Sequence, residues 1–386
     1  MFVHEIFRVL YSPFKAFKEI VKNPDVKGPI LILLITVVAT AGEQYISASK
    51  TFFENPTPDL DSWTESTLLW SPNNTLSCDT DRIVGNCSVK SLVSNDTSIW
   101  MKKKIPTDLW PLVCSGDSGY TSFSFRIKWI HSVATLPSDA TLRLFSGDES
   151  NYFEFDLKDR ISDSSDKWSS VNVSIGPQSQ GWTNQANWEN ITALEYRLSW
   201  SNAANITIKI DDLYFGKYVS SYITDVFTGW LVGSLMGSTT DFLIRWILFA
   251  GLLLLIIKIF GGETGPWSAL FNVVGYVFAV MMVYIVIDTL LISMLPPLSF
   301  PFRAWSPVAG EEEIGIMLLS QIIDSSWGTT LAYNIRYYLP FAVHVWIVAL
   351  GTTAVHFARE FSWEKAAAIS AMSYIMLILL KAVIPI

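Results

Sequence analysis

Residues 205–218 read NITIKIDDLYFGKY, and residues 242–260 read FLIRWILFAGLLLLIIKIF. The first alternates apolar and polar side chains at period two. Ile206, Ile208 and Ile210 point one way and Thr207 and Lys209 the other, the pattern of a strand with one face in a core and one in water. The second stretch carries only Arg245 and Lys258 as charges, and as helix it is long enough for a ~30 Å hydrocarbon layer. A wetted strand and a bilayer span thus stand close together, and the chain must hold two bodies that fold in two solvents.

Working outward, the 386 residues are 50% hydrophobic and 16% charged, with 16 Trp, which excludes fibrous and disordered classes. From Lys50 to Lys217 the sequence is rich in Ser, Thr, Asn and Asp and holds 21 acids against 15 bases, most of the formal charge of −8. The remainder carries nearly all the long apolar runs. The only basic run, Lys102-Lys103-Lys104, has Asp108 close by, so no nucleic-acid-binding surface is expected.

Spans are expected at 29–48, 241–260, 267–293, 337–358 and 366–386. Residues 1–28 hold five Lys/Arg, and the links near 258–266 and 359–365 add Lys258, Arg359 and Lys365. The positive-inside rule makes these cytoplasmic. The block 49–217, the 294–336 loop and the C-terminus are then extracytoplasmic, and 29–48 is expected to stay as an uncleaved anchor. The sequons agree with this orientation. Asn73, Asn86, Asn95, Asn172, Asn190 and Asn205 all open N-x-S/T within the block and are candidates for N-linked glycans. Cys78, Cys87 and Cys114 also lie there, enough for one disulfide and one spare thiol. Cys78 and Cys87 are nearest in sequence, but spacing leaves the pairing open. Glycosylation signals combined with a prokaryotic-looking insert point to an archaeal source.

Within 49–217, period-two runs recur: Phe123 to Trp129, Leu142 and Leu144, Phe153 to Leu157, Val171 to Ile175, Leu194 to Trp200, and Ile206 to Ile210. Gly, Ser, Asp or Pro bounds each run, which predicts an antiparallel β-sandwich. The order KWSSVNVSIG, WTNQANWENITALEYRLSW, NITIKIDDLYFG resembles the jelly-roll carbohydrate-binding modules, over roughly 60–216. The resemblance implies a structural calcium with Asp211 as a candidate ligand; the plain alternative makes Asp211 and Asp212 strand-end turn residues. It also directs attention to aromatic platforms for sugar. Trp182 and Trp188, in a Gly/Asn/Gln-rich loop, are the candidates, with core packing as the competing role, whereas Trp168 and Trp200 fall in register with inward positions. No catalytic pair or metal-spaced cluster stands out.

The segment VLYSPFKAFKEIVKNPDVKGPILILLI sets a basic amphipathic helix before the first span. Val9, Leu10, Phe14, Phe17 and Ile20 are expected in the lipid interface, with Lys15, Lys18 and Lys22 toward phosphates. Later, FLIRWILFAGLLLLIIKIFGGETGPWSALFNVVGYVFAV ends one span in a Gly-Gly turn, and REFSWEK links the last two spans. Together these residues resemble the Yip (Ypt-interacting protein) domain family over 6–48 and 241–384. That resemblance implies five spans, an inner N-terminus and an outer C-terminus. The large insert between spans one and two departs from the family's usual short loop. Eukaryotic members act in vesicle trafficking, some through small GTPases, an activity the resemblance does not carry over here.

The fold class expected is therefore a five-helix membrane bundle with an all-β jelly roll inserted after its first helix. Its parts are 1–28, the span 29–48, the sandwich 49–217 and the Yip-like remainder 218–386. Gly229, Gly233 and Gly237 make a bare stripe suited to helix packing, or a hinge. IGIMLLSQIIDSSW reads as a second interfacial helix. Glu43, Arg245, Asp288 and His344 fall in the outer third of their spans and can form one ionisable cluster or separate structural pairs. The leading functional reading is a non-enzymatic membrane-organising or tethering protein that holds surface glycan or another membrane protein. The alternatives are a small-solute or ion transporter using that cluster, and a glycan-active surface enzyme.

Overall fold

The computed structural model describes residues 2–58, 62–133, 135–221, 225–262, 266–306 and 308–383. The last three residues of the expected fifth span, and 263–265 of the link after the second, lie outside them. Two compact units divide the chain: Phe53–Val219 with Ser299–Ser320 form one, and Met1–Phe52, Ser220–Leu298 and Gln321–Ile386 form the other.

The helical unit begins with α1 (Phe2–Tyr11), α2 (Pro13–Ile20) and α3 (Lys27–Ser49). It continues with α4 (Asp225–Ile259), α5 (Trp267–Val277) and α6 (Ala279–Met294). It ends with α8 (Leu331–Arg359) and α9 (Trp363–Val383); a shorter helix before them, α7 (Glu312–Ser326), is divided between the two units at Ser320. Among the described residues five helices are long and apolar enough to cross a membrane: Lys27–Ser49, Gly229–Ile259, Trp267–Met294, Leu331–Arg359 and Trp363–Val383. The third is interrupted at Phe278, between α5 and α6.

These helices pack through small residues. A Cβ on Gly351 of α8 would lie 2.4 Å from the Ser370 hydroxyl of α9, and one on Gly275 of α5 would lie 2.4 Å from Pro29 of α3. In lipid, where apolar side chains gain nothing by leaving solvent, such close approach supplies the van der Waals contact that associates helices. Phe249, Tyr276, Phe278, Ile347 and Leu350 fill the centre. The Gly-Gly turn closes α4: Gly261 takes φ +76°, and Gly262 returns its N–H to Ile257.

α1 and α2 correct one expectation. Val9, Phe17 and Ile20 are buried in the bundle core, and the exposed apolar side carries Val3, Phe7, Tyr11 and Phe14. The break at Ser12 turns the two helices so that the first group packs inward, a rotation no single helical wheel contains.

The β unit is an antiparallel network folded into two layers. Its strands are β1 (Thr51–Thr57), β2 (Trp70–Pro72), β3 (Thr75–Asp79), β4 (Ser88–Lys104) and β5 (Ser122–His131). β6 (Asp139–Ser146), β7 (Tyr152–Asp156), β8 (Ser169–Ser174), β9 (Trp182–Thr183), β10 (Ile191–Ser220) and β11 (Leu298–Phe300) complete it. The long β10 serves both layers. Its first part pairs with β6 and with the end of β4, and its second, after register shifts between Ser199 and Ile206, pairs with β5 and the start of β4. The first layer therefore runs β2-β4-β10-β6-β7-β9 and the second β3-β4-β10-β5-β8. Phe123, Phe125, Ile127, Trp129, Leu142, Leu144, Tyr196 and Leu198 fill the space between them.

The outer side of the second layer is not wet. Thr207 and Lys209, expected to face water, are 8% and 6% exposed. The Lys209 ammonium bonds Asp79 at 3.1 Å and Asp81 at 2.8 Å, on the segment that the Cys78–Cys87 disulfide closes. That segment covers the strand, and a long-range ion pair satisfies the charge.

Candidate functional site

The outward face of the first layer presents rows of side chains set by strand register. One row reads Lys102, Glu195, Arg143, Glu154 across β4, β10, β6 and β7. Arg143 bonds Glu154 at 2.6 Å, Arg197 bonds Glu195 at 3.0 Å, and Lys102 bonds Glu149 at 2.7 Å. Lys102 also lies 4.1 Å from the centre of the Phe145 ring, and the Arg143 guanidinium lies 4.7 Å from that of Tyr152. The face is thus a flat charged ladder with its ions already paired. At one end it opens into a cleft of about 460 Å³ between Lys102, Lys104, Asp108, Trp110, Phe145 and Glu149.

Trp110 is 52% exposed. Its neighbours Leu109 and Leu112 pack against or into the core, so the chain passes along the rim with the indole turned outward. The Gly147–Asp148 turn joins this cleft to a second, more open hollow of about 480 Å³ lined by Asn151, Gln185, Asn187 and Asn190. One aromatic plate, two ammoniums (Lys104, and Lys102 paired with Glu149) and a bank of amides therefore adjoin. Asp148 is held below the usual carboxylate range by the Ser150 hydroxyl and backbone N–H, and by Asn151. Glu149 is held down by the Lys102 ammonium. On the inner side of β4, burial lowers Lys103 to about 8, and its ammonium donates to the Leu68 carbonyl at 2.8 Å.

Trp182 and Trp188 are placed otherwise than as open platforms. Trp188 stacks on Phe153 with centroids 3.8 Å apart, and Trp182 packs on Phe155 at 5.2 Å and donates its N–H to the Ser174 carbonyl. Both rings pack on β7 and are half-buried. Trp200 is buried, 5.9 Å from Trp129, whereas Trp168 is half-buried and donates its N–H to Asp81 at 3.1 Å.

Asp211 is fully buried and accepts the N–H groups of Ile83 at 2.5 Å, Val84 at 3.1 Å and Asp212 at 3.0 Å. Burial pushes its carboxyl up, against the pull of those three donors. Its oxygens are thus engaged by backbone N–H groups in this structure. Among the described residues no group of three or more His, Cys, Asp or Glu could hold a metal ion. Asp212, at φ +49°, instead turns its carboxylate to Arg126 at 2.9 Å, and Glu311 takes the other side of that guanidinium at 2.7 Å.

Cys78 and Cys87 are bonded, and Cys114 is free and buried, its thiol pushed up to about 12 by burial. Asn86, Asn95, Asn172 and Asn205 are exposed. Asn73 is half-buried, donating its amide to Ser98 and accepting from Trp100. Asn172 donates to the Ser124 hydroxyl at 2.8 Å, and Asn205 accepts the Asn95 N–H at 3.2 Å.

In the bundle the four ionisable residues do not meet as one cluster. Arg336 of α8 bonds Asp288 of α6 at 2.8 Å and stands 3.9 Å from Glu43 of α3. Arg245 bonds Asp241 one turn away at 2.6 Å, and Lys381 of α9 pairs with the same Asp241. His344 instead meets the Tyr374 hydroxyl at 2.7 Å. The sequence places Arg336 at the end of the 294–336 loop, because the apolar run starts at 337, one residue beyond it. The helix begins at Leu331, after the Thr330 cap accepts the Tyr333 N–H. Gly229, Gly233 and Gly237 lie exposed, and a Cβ on any of them would meet nothing within 4 Å. The stripe is bare rather than packed against another part of the described chain.

The Yip1 domain family model matches residues 187–384, just over half of the chain. Among solved structures, the chain is similar to the family 11 carbohydrate-binding module of the cellulosomal cellulase Lic26A-Cel5E of Clostridium thermocellum. That likeness is at 9% identity, covering 42% of this chain and 94% of that one, with a TM-score of 0.29. It is also similar to the C-terminal family 22 carbohydrate-binding module of Clostridium thermocellum Xyn10B, at 14% identity, 42% and 94% coverage and a TM-score of 0.23. No curated protein matches the chain.

Proposed function

The chain belongs to the Yip1 domain family, and from that premise we propose a non-enzymatic membrane protein that tethers or organises membranes through its β-sandwich. The five-span part sits in the cell membrane with a cytoplasmic N-terminus and an extracytoplasmic C-terminus. The sandwich stands outside and binds surface glycan, or a glycan-bearing protein, in the cleft beside Trp110. Orientation rests on the Lys/Arg of residues 1–28 and of the cytoplasmic links, and on six sequons confined to the β-rich block.

The observation that carries the ligand reading is Trp110 itself, 52% exposed at the mouth of the cleft. A pyranose has an apolar C–H face and a hydroxyl rim. A bare indole takes the first, and Lys104, Asp108 and the amides of Asn151, Gln185 and Asn187 suit the second. A non-enzymatic role fits the way the cleft's acids are engaged: Asp148 is bonded by Ser150 and Asn151, and Glu149 by the Lys102 ammonium, so both carboxylates serve neighbouring side chains.

The test is a panel of soluble polysaccharides titrated against the full-length protein in nanodiscs. Trp110→Ala is expected to weaken binding about tenfold or more, a loss of at least ~1.4 kcal/mol, while Trp182→Phe leaves it unchanged. Absence of binding across the panel, or wild-type affinity in the Trp110→Ala protein, overturns the reading.

A further inference from the structure

Of the six sequons, one opens into the cleft system. Asn190 lines the amide-rich hollow that adjoins the Trp110 cleft at Gly147 and Asp148. It immediately precedes β10, next to the register shift between Ile191 and Ala193. Its side-chain amide makes no hydrogen bond among the described residues, unlike Asn73 and Asn172, whose Nδ2 atoms are already committed. Beside Nδ2 the wall is a glycine: a Cβ on Gly147 would come to 3.0 Å from it. The turn at φ +79° calls for glycine by itself. The consequence is nevertheless that no side chain from residue 147 crowds the atom a glycan would attach to.

We propose that Asn190 carries an N-linked glycan that lies in this hollow and covers the Trp110 cleft, so that the sandwich is occupied by the chain's own sugar until another ligand displaces it. The inference rests on the cleft being a sugar site and on the sandwich being extracytoplasmic. The glycan comes from a polyprenyl-phosphate-linked oligosaccharide. The bond from Asn190 Nδ2 to the anomeric carbon forms as the bond from that carbon to the phosphate oxygen breaks. The lipid phosphate leaves, and the amide proton passes to a base of the transferring enzyme. Once attached, the first sugars sit among the Asn151, Gln185 and Asn187 amides. A free ligand must then compete with a tethered one present at high effective concentration. The cleft would engage only partners that out-compete it, which suits a tether that must not bind every glycan on its own surface.

The experiment uses the full-length protein from its native membranes. Glycopeptide mass mapping reads occupancy at Asn190, and hydroxyl-radical labelling reads the accessibility of Trp110. The expected result is a glycan mass on the Asn190 peptide and Trp110 labelling that rises severalfold in Asn190→Gln. Thr192→Val, which removes the sequon and keeps Asn190, should behave as Asn190→Gln, whereas Thr192→Ser should retain both glycan and protection. A bare Asn190 in the native protein overturns the inference, as does Trp110 labelling that is unchanged when the sequon is lost. Protection that tracks the sequon while no polysaccharide of the panel binds either form would uphold self-occupancy and count against the free-ligand reading alone.

Discussion

Arg126→Met is the substitution that most directly tests how the β unit is held. Arg126 is 6% exposed, and its guanidinium bonds Asp212 at 2.9 Å through Nε and Glu311 at 2.7 and 2.9 Å through both terminal nitrogens. Burial alone would favour neutral Arg126, yet these two carboxylates outweigh it and raise the guanidinium further. Replacing Arg by Met keeps the volume and leaves two carboxylates facing each other with only Arg303, at 3.9 Å, to answer Glu311. Breaking a buried ion network from one side costs about 3–5 kcal/mol. On a domain of this size that converts to a melting shift of about 6–20 °C.

The assay is thermal unfolding of the full-length protein in detergent, followed by hydrogen exchange of peptides from β5 and β10. Arg126→Met/Asp212→Asn/Glu311→Gln, which removes the charges together, should recover most of the loss. The pH dependence adds a sign. Glu311 is held below its ordinary value, first by its bonds to Arg126 and against its own burial. A depressed carboxyl contributes stability that is present above its unfolded value and lost as pH falls through the folded one. Wild type should therefore lose stability on acidification below about pH 4.5, and Arg126→Met should show a shallower loss. A melting point within about 2 °C of wild type, or a triple variant no better than the single, would refute the reasoning.

Four further outcomes follow. Cys78→Ser/Cys87→Ser opens a loop of sequence separation 9 and should cost the β unit about 2.5 kcal/mol by loop-closure entropy, read by the same exchange assay. Cys114 is buried with its thiol near 12, so iodoacetamide should label it only after unfolding. Lys103 is lowered to about 8 by burial; the unfolded chain then binds the extra proton between about pH 8 and 10, and stability should rise across that window by up to ~3 kcal/mol. Lys103→Met should flatten that rise. In the bundle, Arg336→Ala strands Asp288, which is 2% exposed, and should lower the unfolding free energy in detergent by about 3–5 kcal/mol, whereas Glu43→Gln should cost far less.

The elements themselves were legible. Ile206, Ile208 and Ile210 fall to 0% exposure as their alternation requires, and the apolar runs at 29–48, 241–260, 267–293, 337–358 and, over its described residues, 366–386 each fall on a candidate span. Both signals are local, set by the period of one element against one solvent boundary. Lys209 shows where such signals end. Its polar position in the alternation was right, but whether water or Asp79 and Asp81 lies opposite depends on a segment about 130 residues earlier in the chain. Arg336 failed for a related reason. Hydropathy locates the centre of a span well, but the helix start is fixed by the Thr330 cap, and the turns between cap and apolar run hold the residue that pairs with Asp288.

The candidate site was the least legible part, and the tryptophans explain why. Trp182 and Trp188 lie among Gly, Asn and Gln, a composition that predicts exposure; Trp110 lies in DLWPLVC, which gives no such hint. What decides is the residue facing each ring from another strand. Phe153 and Phe155, inward on β7 at the edge of the first layer, have no further long strand beyond them, since β9 is two residues long. Their apolar surface has to be covered, and the loop carrying Trp182 and Trp188 covers it. Trp110 faces no such need. Leu109 and Leu112 already supply the apolar contacts of that segment, so the indole has no core position left to fill. Whether a tryptophan in this sandwich is left exposed is therefore decided by the presence or absence of an unsatisfied apolar neighbour across the sheet edge. That property belongs to pairs of strands and to no single stretch of sequence.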